Sequence, residues 1–316
     1  MTVPAAPRVV LLGATGWVGR HLCEVFDQRG YHVVAVARSP APHVTGHEFW
    51  PFDLAGADSG AMAVLLRHAG AEVVVNATDA ANSTDGFART DEEFAHFHIT
   101  VVRRLVHAMA TLPHPSRLVH LGSILEYGPL PPGQLTHEAV DPRPVGCYAR
   151  TKLAGSQIVL DAARAGLIRG VVLRLVNVCG PHPSPATLPG KLLGQLRRAA
   201  ADGGGVELNI APDRRDFVDV RDVARACLLA AQASVTGQAV NIGSGTAVAL
   251  RELVELFVAV AGLPPDAVRE RADGVAGLSA ASWIRADIRL AARLLAWRPR
   301  IGLAQSLRDA WEAADR

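Results

Sequence analysis

Tyr148 and Lys152 stand four residues apart in CYARTK, a spacing that brings two side chains to one face of a helix. An ammonium beside a phenol favours the phenolate. It draws the phenol from its ordinary pKa of about 10 towards neutrality and makes Tyr148 usable as an acid or a base. Pairs at this spacing also occur on ordinary solvated helix faces. The composition weighs against that reading, because the chain has only two lysines (Lys152 and Lys191) and three tyrosines (Tyr31, Tyr127 and Tyr148). Ser123, at the end of the apolar run RLVHLGS, offers a hydroxyl that could hydrogen-bond a substrate oxygen beside the tyrosine.

A second constellation is GATGWVG, with Gly13, Gly16 and Gly19 following a short apolar run and opening a helical pattern. Glycines in this setting allow a tight turn, close approach of a pyrophosphate to the backbone, and close helix packing; the helix N-terminus then offers N–H groups to the phosphates. Thr15, Trp17 and Val18 complete the loop as candidate cofactor contacts. The next apolar run ends in Ala37-Arg38-Ser39, without the carboxylate that would hold the 2′-hydroxyl of NAD. A guanidinium and a hydroxyl suit a 2′-phosphate, so NADP(H) is the expected cofactor, with a solvated loop arginine as the alternative. Asp53-Leu54, after the third apolar run, is expected near the adenine ring.

These residues need a scaffold, and the apolar pattern supplies one. Val9–Leu12, His32–Ala37, His47–Asp53, Ala71–Thr78, Arg117–Ser123 and Arg169–Val176 read as strands without period-two alternation. Helices are predicted over Trp17–Arg29, over Asp91–Met109 as one long element, and over Cys147–Arg164. Strands of this kind separated by helices make a parallel sheet buried on both faces, a doubly wound α/β fold of Rossmann type. After Asn177 the texture changes to a Pro-rich loop (Gly180–Gly190) and a helix to about Ala201. A strand, turn and helix over Asp216–Ala233 and a strand over Ala239–Gly243 follow, and then a mostly helical C-terminus from Leu250. The expected organisation is a dinucleotide-binding domain over 1–176, to which 216–245 returns, and a discontinuous substrate-binding lobe from 177–215 and 246–316.

With these motifs in hand, the sequence resembles the nucleotide-sugar branch of the extended short-chain dehydrogenase/reductases. The resemblance rests on GATGWVG, LGSILEYG (Leu121–Gly128), YARTK, LRLVNVCGP (Leu173–Pro181), RDFVDVRDVA (Arg215–Ala224) and NIGSG (Asn241–Gly245), in the family's order and over essentially the whole chain. It implies Ser123 as the triad hydroxyl, Tyr148 as the general acid/base, and Lys152 as the residue that tunes it and binds the nicotinamide ribose. It also implies Asn177 and Arg215 at the substrate diphosphate, and Asn76-Ala77-Thr78 where the loop after the fourth strand passes the cofactor. The departures are informative too. The family's dehydratases carry an Asp-Glu pair directly after the triad hydroxyl, where this chain has Ile124 and Leu125, so elimination of water is disfavoured. His98 replaces a usual asparagine, and Cys179 a usual tyrosine. The resulting expectation is an NADPH-dependent reductase of a nucleotide-linked keto-sugar, most like a dTDP-4-keto-6-deoxyhexose 4-ketoreductase of deoxysugar and antibiotic biosynthesis. Alternatives are a 4-epimerase with bound NAD, a reductase of a non-nucleotide ketone, and a catalytically inactive NADP-binding sensor. The resemblance also implies a homodimer through the helices at Asp91–Met109 and Cys147–Arg164.

Size and charge are consistent with that expectation. The 316 residues are 49% hydrophobic, enough for a large core. With 32 basic and 30 acidic residues and no long basic run, a nucleic-acid surface is not expected. Neither a bilayer-spanning apolar stretch nor a leader-like N-terminus is seen, and the four dispersed cysteines contain no CxxC pair, so a cytoplasmic protein with reduced thiols is expected. The twelve histidines are scattered without zinc-like spacing, and no metal is expected. Arg103-Arg104 and Arg197-Arg198 read as solvated helix faces. Trp283, Trp297 and Trp311 read as packing for the C-terminal lobe, Trp283 with a second possibility of touching a base or sugar.

Overall fold

A computed structural model describes residues 6–79, 90–271 and 282–314; Met1–Ala5, part of the N-terminus considered above, lie outside them. The chain opens with β1 (Arg8–Leu12), α1 (Trp17–Asp27), β2 (His32–Ala37), β3 (Glu48–Pro51), α2 (Ser59–His68) and β4 (Val73–Asn76). Next come α3 (Asp91–Ala95), a π-helical turn (His96–Thr100), α4 (Val101–Ala110), β5 (Arg117–Ser123), α5 (Cys147–Arg164) and β6 (Arg169–Leu175). The second half contains β7 (Asn177–Cys179), α6 (Leu188–Asp202), β8 (Val206–Leu208), β9 (Arg214–Asp219), α7 (Val220–Gln232) and β10 (Gln238–Ile242). It ends with β11 (Ala247–Ala249), α8 (Leu250–Val260), β12 (Val268–Glu270), α9 (Arg289–Leu295) and α10 (Leu303–Ala313).

Seven strands form one parallel sheet in the order β10-β6-β5-β4-β1-β2-β3. Its central strands are Val- and Leu-rich on both faces, and each face is covered, as an all-parallel sheet requires. Leu22 and Phe26 of α1, Val223 and Cys227 of α7 and Leu295 of α9 fill one side. Leu66 of α2, Leu105 of α4 and Val159 of α5 fill the other. This is the doubly wound Rossmann-type architecture expected from the sequence. Strand order reverses between β1 and β4, and ligands of such sheets bind at the carboxyl ends around that point.

A smaller body carries a three-stranded sheet (β11-β9-β7), a two-stranded one (β12-β8) and its own core of Leu192, Leu196, Phe217, Leu253, Phe257 and Leu307. Within 216–245 the chain divides its allegiance. Residues Asp216–Asp219 pair in the three-stranded sheet, while α7 packs on α1 and β10 adds the edge strand of the large sheet.

Several sequence expectations are corrected. The helix predicted over Asp91–Met109 is broken by the π turn, which adds a residue to one turn and carries His98 inward, leaving it 3% exposed. Trp297 does not pack the lobe. It is fully buried in the core beneath α7, and its indole N–H donates to the Asp222 carbonyl at 2.9 Å. Arg104 and Arg197 are not solvated helix-face charges. Arg104 donates to the Ala57 carbonyl at 2.9 Å, and the Arg197 guanidinium lies 3.9 Å over the Trp311 ring in the lobe. No helix of the described residues is long and apolar enough to cross a membrane.

Candidate active site

The carboxyl ends of β1, β4, β5 and β6 open onto two adjoining cavities. One, of about 320 Å³, is lined by Ser123, Ile124, Leu125, Tyr148, Lys152, Asn177, Val178, Leu188 and Arg215, with Trp17 and Val18 of the glycine loop at its rim. The other, of about 520 Å³, is lined by Gly13, Thr15, Gly16, Arg38, Ser39, Asp53 and Leu54. Ala77, Thr78 and Asp79 belong to both walls.

The second cavity has the form a dinucleotide needs. Gly13 adopts a left-handed conformation, φ +83°, and a side chain there would press on the Ala77 carbonyl. A Cβ on Gly19 would come within 2.3 Å of the Gly13 carbonyl oxygen, so only glycine lets α1 sit this close under its own loop. The first turn of α1 carries no side-chain cap, which leaves its amides for an anion. Arg38 and Ser39 are exposed at the end of β2. Asp53 folds its own loop, accepting from the Ala55 and Gly56 amides, beside the apolar Leu54. Asn76 lines neither cavity. It is buried, its carbonyl oxygen accepting from the Thr78 amide (3.2 Å) and hydroxyl (2.6 Å), and so it shapes the Ala77–Thr78 wall from below.

Ser123 is the last residue of β5 and is held by a buried carboxylate. Glu126, fully buried, accepts from the Ser123 amide and the Ser156 hydroxyl, each at 2.8 Å, and from Arg174 Nε at 2.7 Å. The Arg174 guanidinium in turn lies 4.4 Å over the Tyr127 ring. Ile124 and Leu125 continue from Ser123 along the cavity wall, presenting hydrocarbon where proton transfer would need an acid.

Tyr148 and Lys152 project from the first turns of α5 into the same cavity. Tyr148 Oη donates to Asp79 Oδ2 at 3.1 Å and shares a hydrogen bond with Ser123. Lys152 Nζ donates to the Leu121 carbonyl at 2.6 Å and lies 3.6 Å from the same Asp79 oxygen. Phe94 and His98 pack edge-on against the Tyr148 ring. These contacts correct one expectation. The Tyr148 phenol is not drawn towards neutrality. Burial pushes its pKa well above the ordinary value, and the charge and hydrogen bond of Asp79 add to the effect. The Lys152 ammonium faces that same carboxylate, so its charge is partly spent there.

Asp79 and Glu126 were not singled out in the sequence. Asp79 lies 69 residues from Tyr148, and no local spacing announces the meeting. Asn177 and Arg215 both line the first cavity; Asn177 donates to the Asp216 carbonyl at 3.0 Å, and Arg215 pairs with Asp213 at 2.6 Å. Trp283, by contrast, spends its indole N–H on the Gln134 carbonyl at 2.8 Å and lines neither cavity.

A glycine loop under a topological switch point and a serine–tyrosine–lysine set beside it describe a nicotinamide-dependent short-chain dehydrogenase/reductase site. Residues 9–243 match the model of the NAD dependent epimerase/dehydratase family, and the chain belongs to that family, the extended branch of this class. It is 35% identical over 317 residues to the dTDP-6-deoxy-L-talose 4-dehydrogenase (NAD(P)(+)) of Kitasatospora kifunensis, covering 99% of this chain and 98% of that protein. It is 25% identical to a UDP-glucose 4-epimerase of Bacillus subtilis, over 96% of this chain and 95% of that one. Among solved structures, MoeE5 in complex with UDP-glucuronic acid and NAD superposes with a TM-score of 0.83 at 27% identity, covering 98% of this chain and 99% of that one.

Proposed function

We propose that this protein is an NADPH-dependent reductase of a nucleotide-linked 4-keto-6-deoxy sugar, with a dTDP-linked hexose as the preferred substrate. The observation that carries the proposal is the tyrosine. Tyr148 is half-buried, its hydroxyl hydrogen-bonded to Asp79, beside a serine hydroxyl in a cavity whose adjacent wall is Ile124 and Leu125. A phenol is the form needed to protonate an oxygen during reduction, and hydrocarbon at the next two positions supports no elimination of water. The same apolar wall suits a sugar bearing a methyl group in place of a hydroxymethyl. The full-length relative, named for oxidation of a dTDP-6-deoxy sugar at C4 with NAD(P)+, supports the same chemistry read in reverse.

The glycine loop with Arg38 and Ser39 would hold a nicotinamide dinucleotide, which would supply the hydride for the carbonyl carbon. Tyr148 gives its proton to the developing alkoxide, and Ser123 donates a hydrogen bond to the same oxygen. Lys152, which lines the first cavity 3.6 Å from Asp79 in the shared wall, would hold the nicotinamide ribose. Arg215 and Asn177 would hold the diphosphate and so fix the carbonyl in reach of Tyr148. The reading of Arg38 and Ser39 as the 2′-phosphate site rests on their place at the end of β2 and the want of a carboxylate there.

The test is to offer dTDP-4-keto-6-deoxyglucose with NADPH and then with NADH, following nicotinamide absorbance and the configuration of the product. Consumption of NADPH with formation of the 4-hydroxy sugar is expected. A protein that purifies with bound NAD and interconverts sugars without added reductant would instead be an epimerase, the reading favoured by the UDP-glucose 4-epimerase likeness. Tyr148→Phe is expected to lower reductive kcat about 100- to 10,000-fold with NADPH binding retained; an unchanged rate would remove Tyr148 from the acid's role.

A further inference from the structure

The contacts of Asp79 reach past Tyr148. Asp79 Oδ1 lies 3.2 Å from His98 Nε2, and His98 Nδ1 lies 2.9 Å from Thr151 Oγ1. Thr151 sits one turn into α5, and its single hydroxyl proton points back along the helix, 2.9 Å from the Cys147 carbonyl oxygen and 3.1 Å from that of Tyr148. Threonine hydroxyls in helices bond in this way. With that proton committed, Oγ1 accepts from His98, and Nδ1 carries a hydrogen. Nε2 then meets a carboxylate oxygen at hydrogen-bond distance. Two bare lone pairs do not approach this closely in a buried site, so a proton lies between them, on Nε2 or on Oδ1.

We propose that Asp79 and His98 together hold one proton in reserve and return it to Tyr148 after each reduction; this rests on the reading of Tyr148 as the reductive acid. The balance is simple. When Tyr148 Oη gives its proton to the substrate oxygen, a phenolate is left 3.1 Å from Asp79 Oδ2. The proton held by the pair passes to the phenolate, the pair is left one proton poorer, and water restores it. No other reactant is needed. Among the described residues, those facing Tyr148 include Ser123 from β5, Asp79 from the loop after β4, Lys152 on its own helix, and Phe94 and His98 from the α3–α4 segment. Among these, only the Asp79–His98 pair is arranged to exchange a proton without breaking the anchoring of the site, since Lys152 is tied to the Leu121 carbonyl. His98 lies in the π turn, buried between Phe94 and Val101 along the helix, and there it meets Thr151 and Asp79.

Two experiments test the pair, and the first needs no substrate. Imidazole-nitrogen NMR of the intact protein at about pH 7 (the signal of His98 identified by its loss in His98→Gln) should show a hydrogen on Nδ1 and a strongly hydrogen-bonded Nε2. A neutral ring with its hydrogen on Nε2 and none on Nδ1 would overturn the proposal, because the pair would then hold no extra proton. The second uses rapid mixing with NADPH and dTDP-4-keto-6-deoxyglucose. In Asp79→Asn the steady-state rate should fall about tenfold or more, while the first turnover, which uses the proton already on Tyr148, falls far less. The KM values should shift by no more than about threefold. Equal slowing of the first and later turnovers, or slowing of neither, would count against a proton reserve. Tyr148→Phe, slow from the first turnover, separates the two ideas: full activity there would reject the acid assignment itself, leaving the NMR result to decide on the pair.

Discussion

At the scale of single residues, the site divides into groups that the sequence displays and groups that only folding assembles. Tyr148, Lys152, Ser123 and the loop glycines are legible because their chemistry depends on local spacing, four residues along a helix or three between turns. Asp79 is not legible, because an aspartate three residues past a strand has no mark that sets it apart from a surface loop acid. Its contact with Tyr148 adds to the effect of burial, which raises the phenol's pKa where Lys152 was expected to lower it. Arg38 remains a single-residue question. If its guanidinium reads a 2′-phosphate, Arg38→Ala removes a charge-assisted hydrogen bond worth about 1.5–3 kcal/mol. The Kd for NADPH should then rise roughly ten- to a hundredfold, with NADH binding changed by less than about threefold. Fluorescence titration with both cofactors checks this, and equal losses would take Arg38 out of cofactor selection.

At the scale of elements, the large sheet was readable because parallel strands buried on both faces are continuous apolar runs, and six of its seven strands lie in the first 176 residues. The break at His96–Thr100 was not readable, since a π turn leaves the apolar pattern of a helix almost unchanged while shifting its register by one residue. The turn after β5 is held by charge rather than by hydrophobic pattern. Glu126 joins the Ser123 amide, the Ser156 hydroxyl and Arg174, all buried. Glu126→Ala leaves a buried guanidinium without its carboxylate and an amide without its acceptor, so a loss of about 3–5 kcal/mol is expected in urea denaturation. Glu126→Gln keeps the acceptor for Ser123 and should retain more of both stability and turnover. If Glu126→Ala cost less than about 1 kcal/mol, the carboxylate would not be what fixes the serine.

For the molecule as a whole, histidines whose pKa burial lowers tie stability to pH: His43, His98 and His182 in direction, and His120 by a large shift. His120 lies within β5 at the centre of the large sheet, and its Nδ1 accepts from the Asn76 amide at 3.1 Å. The Asn76 carbonyl oxygen is already taken by Thr78, which fixes the amide's orientation and so requires a neutral His120 ring with Nδ1 bare. Burial, with the charge of Lys152 adding to it, drives the His120 pKa from its ordinary 6.5 down to about 3. Between those values the unfolded chain binds a proton there that the folded one does not. Stability is therefore full above about pH 6.5 and falls as pH drops towards 3, by up to about 1.4 kcal/mol per pH unit. Glu138 and Asp216, whose pKa values burial raises, oppose the loss by binding protons more readily when folded, just above the ordinary carboxylate range. The steepest decline is accordingly expected between about pH 6 and pH 5, where the unfolded histidine is mostly protonated and those carboxylates have barely begun to titrate. Urea midpoints measured from about pH 7.5 down to pH 5 should follow this slope, and His120→Gln should flatten it. Should that variant not fold, proton uptake on unfolding the unaltered protein at about pH 5.5 supplies the same answer: a net uptake is expected, and its absence would mean that His120 is charged within the sheet.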